Sequence, residues 1–165
     1  MKIKKILSPF IVGVMSALAV ILTLNLDLYT WVLFIGWVSF FLFGKSPKQI
    51  FFTFIQIVLG FGIAILMLVN GHFLNSIIGE IGTGLSIILV MTSFMYFVPK
   101  LKTVNVIPAY FMGIITFYST HPKLELTEIS VIIGTIVLGF AFAWITENIN
   151  LNWQEAINTL KKYGS

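Results

Sequence analysis

The chain has 165 residues, of which 58% are hydrophobic and 10% charged, against about 45–50% and about 25% in a soluble domain. Ten lysines and six acids (net charge +4) cannot cover a fold of mean hydropathy +1.01 in water, so a soluble enzyme or nucleic-acid binder is excluded and a multi-pass membrane protein expected. The length is that of one domain at about 150 residues each, and the absence of cysteine removes disulfides, thiol nucleophiles and thiolate metal sites.

Segment one, residues 9–26, follows Lys2, Lys4 and Lys5. Ala17-Leu18-Ala19 resembles a signal-peptide cleavage site, but it falls in mid-run and Val20-Ile21-Leu22 follows at once, so a retained span is expected. Segment two, residues 29–43, is short. Segment three covers 50–69, and segment four covers 82–98, stopping at Pro99-Lys100. Segment five, 106–119, is short again and carries Pro108 in its first turn, where proline is tolerated. Segment six, 128–144, has Thr127 as its expected N-cap and Glu128 at the positive end of the helix dipole. A helix crossing the ~30 Å hydrocarbon core needs about 20 residues; segments two and five fall short.

With six spans, nine lysines lie on one side and Lys123 alone on the other, together with Asp27, Glu80, Glu125 and Glu128. By the positive-inside rule both termini are cytoplasmic. The alternative, in which segments two and five are re-entrant hairpins, places Lys45 and Lys48 opposite the N-terminal lysines. Tyr29, Trp31, Tyr96, Trp144 and Trp153 fall near span ends, as an interfacial aromatic belt does. The tail, 150–165, spaces Trp153, Ile157 and Leu160 at a helical period among polar residues, with Asn152 and Glu155 as a capping box. It predicts a short amphipathic helix on the cytoplasmic surface.

The two halves resemble each other. Phe34-Ile35-Gly36-Trp37-Val38-Ser39-Phe40 aligns with Phe111-Met112-Gly113-Ile114-Ile115-Thr116-Phe117 at an offset of 77, and Val58-Leu59-Gly60-Phe61 with Val137-Leu138-Gly139-Phe140 at 79. Pro47-Lys48 answers Pro122-Lys123. Three spans per repeat forces the second copy upside down. The expected fold is therefore all-α, a single transmembrane domain of two inverted three-helix repeats (about 8–70 and 80–147) and the tail helix. Inverted repeats are frequent in transporters, whose sites lie near the midplane at short or glycine-interrupted helices.

Segments two and five share an F-x-G-x-x-[ST]-F core, and segment five opens Ile107-Pro108-Ala109-Tyr110-Phe111-Met112-Gly113. Over residues 8–147 these features resemble the YcdZ-like family of bacterial inner-membrane proteins, grouped under a domain of unknown function. The resemblance implies an inner-membrane location and no activity.

No HExxH motif is present, and His72 and His121 fall in expected extracytoplasmic loops, so neither enzyme, metal nor cofactor is expected. No charged residue lies in the middle of a span, which argues against tight proton coupling. The leading expectation is a small channel or facilitator for an uncharged or weakly polar solute, working as a homo-oligomer. Its path would be lined by Ser39, Thr116 and Gln56, with Gly36 and Gly113 as inward notches meeting near the midplane. The alternative is a non-transporting membrane subunit that binds a partner protein or lipid. The small pairs Gly60-xxx-Ala64 and Gly139-xxx-Ala143 predict close packing of segment three on segment six.

Overall fold

A computed structural model describes residues 2–163, with side chains described for 6–157 and for Thr159. All its regular structure is helical: α1 Lys2–Asn25, α2 Thr30–Phe43, α3 Pro47–Ile78, α4 Ile81–Phe97, α5 Ile107–Thr120 and α6 Leu126–Tyr163, with a single 3-10 turn, Val98–Lys100, after α4. The apolar segments of the sequence thus become helices in the expected order. Four helical stretches are long and apolar enough to cross a membrane: Ile6–Asn25, Pro47–Ile78, Ile81–Lys100 and Leu126–Ile157. α2 and α5 have 14 residues each, about 21 Å at 1.5 Å per residue, against a core of about 30 Å.

The boundaries have local causes. Ser46 caps α3 in a capping box: its hydroxyl accepts from the Gln49 N–H (3.3 Å) and its own N–H donates to Gln49 Oε1 (3.2 Å), with Pro47 in the first turn. α3 then runs past the expected end at Val69, through Asn70, Gly71 and His72, until Gly79 takes a positive φ of 71°. His72 is therefore helical rather than in a loop. His121, with φ 47°, ends α5 in the left-handed region, its N–H donating to the Phe117 carbonyl.

Two expectations at α6 are corrected. The helix begins at Leu126, so Thr127 is its second residue and not its cap; the Glu128 carboxylate instead accepts from the Lys123 N–H at 3.0 Å. The tail is not a separate helix, because α6 continues without a break to Tyr163. Asparagines at 148, 150 and 152 lower the apolarity but leave every backbone N–H in place, so nothing stops the helix. Trp153, Gln154 and Ile157 share a narrow recess with Leu7, Ser8 and Ile11 of α1. Leu160, Lys161 and Lys162 of the expected tail helix, like Lys2, Lys4 and Lys5, have side chains outside the described set.

The chain forms two compact units. One comprises α1, α2 as far as Phe41, and α6 from Val131 onward; the other is the continuous stretch Leu42–Ser130. Each unit so combines helices from both halves of the sequence. In the first, Trp37 of α2 stacks on Phe142 of α6 with ring centroids 6.1 Å apart, and the Thr23 and Thr30 hydroxyls, 2.7 Å apart, tie α1 to α2. In the second, α3 packs on both α4 and α5. Phe94 and Val98 cluster with Tyr110 of α5, and Phe61 meets Phe117 edge-on at 5.2 Å.

Candidate functional site

The short helices meet long ones at glycines. A Cβ added to Gly36 would fall on the Ile136 carbonyl and lie 3.2 Å from the Cα of Gly139. One added to Gly139 would fall on the Leu33 carbonyl, 3.0 Å from the Cα of Gly36. In the other unit a Cβ on Gly113 would fall on the Ile57 carbonyl and lie 2.6 Å from the Phe61 nitrogen, and one on Gly60 would fall on the Tyr110 carbonyl. Carbon atoms in ordinary contact sit about 3.5–4.0 Å apart, so only glycine fits these positions. Neither Gly36 nor Gly113 is an open notch: each is filled, within its own unit, by the backbone of a long helix. The seating of segment three on segment six through their small pairs is corrected, since Gly60 receives Tyr110 of α5 and Gly139 receives Leu33 of α2.

The polar residues expected along a path differ from one another. Gln56, 1% exposed, holds two backbones together: its Oε1 accepts from the Val106 N–H at 2.7 Å, just ahead of α5, and its Nε2 donates to the Phe52 carbonyl at 2.9 Å. Thr116 is fully buried and donates to the Met112 carbonyl of its own helix at 2.8 Å. Thr135 and Thr146 are likewise bonded back into their helix. Ser39, also fully buried, has no hydrogen-bond partner for its Oγ.

Sequence reasoning missed three further features. Ser86 of α4 donates to the Met67 carbonyl of α3 at 2.8 Å, and Asn75 exchanges two 2.8 Å bonds with Thr83, so α3 and α4 are joined at their turn. The Tyr110 hydroxyl donates to the Val104 carbonyl, a second tie on the α4–α5 connection beside the Gln56 bond to Val106. Farther from the turn, α3 and α4 leave an open groove of about 360 Å³ walled by Ile63, Leu66, Leu89, Phe94, Phe97 and Val98. Helical periodicity marks all of these residues as apolar and none of them as left without a covering neighbour. Among the described residues no cluster of three metal-ligating side chains occurs.

Among the described residues, an all-helical chain with four long apolar helices, most of its buried polar side chains bonded internally, has the architecture of a multi-helix membrane protein. Over residues 10–150 it matches the model of a family described as "Protein of unknown function (DUF1097)", and it belongs to that family. No curated protein and no solved structure matches the chain.

Proposed function

We propose that the protein is a non-catalytic, multi-pass membrane protein that works by binding a membrane lipid rather than by conducting a solute. The observation that carries this reading is the contrast between filled and open space. The glycine notches are occupied by backbone and the hydroxyls of Thr116, Thr135 and Thr146 are bonded to their own helices, whereas the roomy groove between α3 and α4 has apolar walls and opens outward. The lysine asymmetry supports cytoplasmic termini, and the likeness to the YcdZ-like family supports a bacterial inner membrane.

Six spans in two inverted repeats form part of the same reading. Aligned residues with aligned partners support it. Gly36 faces Ile136 as Gly113 faces Ile57, and Gly139 faces Leu33 as Gly60 faces Tyr110, at the offsets of 77 and 79 found in the sequence. In each case the short second helix of one repeat takes the long third helix of the other.

The test is photolabelling in proteoliposomes with a phospholipid bearing a diazirine on its acyl chain. Labels concentrated on Leu66, Leu89 and Phe97, above those on the equally exposed Phe10 and Leu18 of α1, are expected. Even labelling of all exposed apolar residues would overturn the reading.

A second reading, a facilitator for a small uncharged solute acting as a homo-oligomer, is favoured by one observation. Ser39 Oγ is buried without a partner, at a cost of about 1–3 kcal/mol that a passing polar solute would relieve. Flux through the protein reconstituted in liposomes, lost on Ser39→Ala with folding retained, would favour it.

A further inference from the structure

We propose that the α3–α4 groove holds an acyl chain of an anionic glycerophospholipid from the cytoplasmic leaflet, whose phosphate is met by Lys100 and Lys102. The proposal rests on the lipid-binding reading above and names the lipid class and its contacts.

Two adjoining recesses share Leu89 and Val90 and together form one trough, about 360 Å³ toward Phe97 and about 240 Å³ toward Asn70 and Phe73. From Ser86 to Phe97 the trough follows twelve residues of α4, about 16 Å of helix, a length suited to a chain rather than a compact solute. Its walls are apolar but for the Asn70 amide at the far end: Ser86 donates to the Met67 carbonyl and Ser93 to the Leu89 carbonyl, both at 2.8 Å. Leu66, Leu89 and Phe97 are each at least half exposed, so a chain can enter sideways from the bilayer.

Charge selects the headgroup. Just past the Phe97 end the Lys100 ammonium sits 3.2 Å above the centre of the Tyr96 ring and 5.9 Å from that of Phe97, which holds it beside the mouth of the groove. Lys102 follows on the exposed connection to α5. No aspartate or glutamate occurs between Glu80 and Glu125, so this stretch of chain has no acid of its own to oppose a phosphate. Basic residues at the cytoplasmic ends of grooves between membrane helices suit anionic headgroups, and each lysine near a membrane surface is worth about a fivefold change in affinity.

The experiment is native mass spectrometry of the full chain in detergent, titrated with phosphatidylglycerol or with phosphatidylcholine of the same acyl chains. Phosphatidylglycerol should be retained about thirtyfold more strongly, for two lysines. Lys100→Gln with Lys102→Gln should bring the two lipids to parity, and Lys100→Arg with Lys102→Arg should restore the preference, which separates a headgroup contact from misfolding. Leu89→Trp, filling the trough, should weaken both lipids alike. Equal retention of both lipids by the native protein would overturn the headgroup proposal and leave the lipid-binding reading standing. Retention of neither would overturn both. A lipid-free dimer dispersed by Leu89→Trp would mean that a second copy fills the groove, and would also overturn the proposal.

Discussion

Gly139 and Gly134 lie five residues apart on α6 and should respond to the same substitution in opposite directions. At Gly134 an added Cβ meets no atom within 4 Å. Alanine there relieves glycine's helix penalty, a gain of about 0.5–1 kcal/mol. At Gly139 the new carbon would fall on the Leu33 carbonyl, 2.9 Å from the Trp37 nitrogen and 3.0 Å from the Gly36 Cα. Every one of these atoms is backbone, so no side chain can rotate away. Restoring ordinary contact requires α2 and α6 to part by more than about 1 Å. Overpacking of this kind costs about 1–3 kcal/mol, which outweighs the propensity gain. Trp37, buried against Phe142, reports the event, so reversible denaturation in mixed micelles followed by tryptophan fluorescence is a suitable assay. The propensity gain is common to both variants, so Gly139→Ala should unfold about 1–3 kcal/mol more easily than Gly134→Ala. Equal stabilities for the two variants would refute the backbone-on-backbone account of the α2–α6 crossing.

The same contrast is expected in the other unit, where Gly60→Ala should destabilise and Gly62→Ala, with open space around it, should not; that unit holds no tryptophan, so its denaturation is followed by far-ultraviolet circular dichroism. Gln56→Leu leaves the Val106 N–H without its acceptor and should cost about 1–3 kcal/mol; a stability equal to the native protein's would show that the bond is dispensable. Ser86→Ala removes the bond to Met67 and should cost about 0.6 kcal/mol, the usual size for a hydrogen bond between membrane helices. Ser39→Ala combined with Thr116→Val should leave folding and lipid retention unchanged if these hydroxyls are packing elements, and abolish solute flux if they line a path. Alkaline phosphatase fused after Ser165 should be inactive and fused near Asn75 active; the reverse would overturn the proposed topology.

The positions and order of the helices were legible because apolar runs separated by Asp27, Gly44-Lys45, Gly79-Glu80, Lys100–Lys102 and Pro122-Lys123 leave little choice. Helix ends were less so. Apolarity falls at Asn70-Gly71-His72 and again at Asn148–Asn152, yet α3 and α6 continue through both, because a polar side chain does not break the backbone hydrogen-bond ladder. Glycine placement announced close approach, but not the partner. Gly60-xxx-Ala64 and Gly139-xxx-Ala143 carry no mark that says α5 and α2 rather than each other, since that choice depends on carbonyls of Tyr110 and Leu33 that any residue could supply. Gln56 was identifiable as needing a partner from its amide alone, and it has one. The α3–α4 groove was invisible, because Leu66, Leu89 and Phe97 differ in no way from apolar residues that are covered.

The most direct measurement is an electron-microscopy structure of the protein in nanodiscs containing phosphatidylglycerol. The account predicts continuous chain-like density along Ile63, Leu89 and Phe97, ending in headgroup density at Lys100. An empty α3–α4 groove together with a continuous file of ordered water passing Ser39 would contradict it.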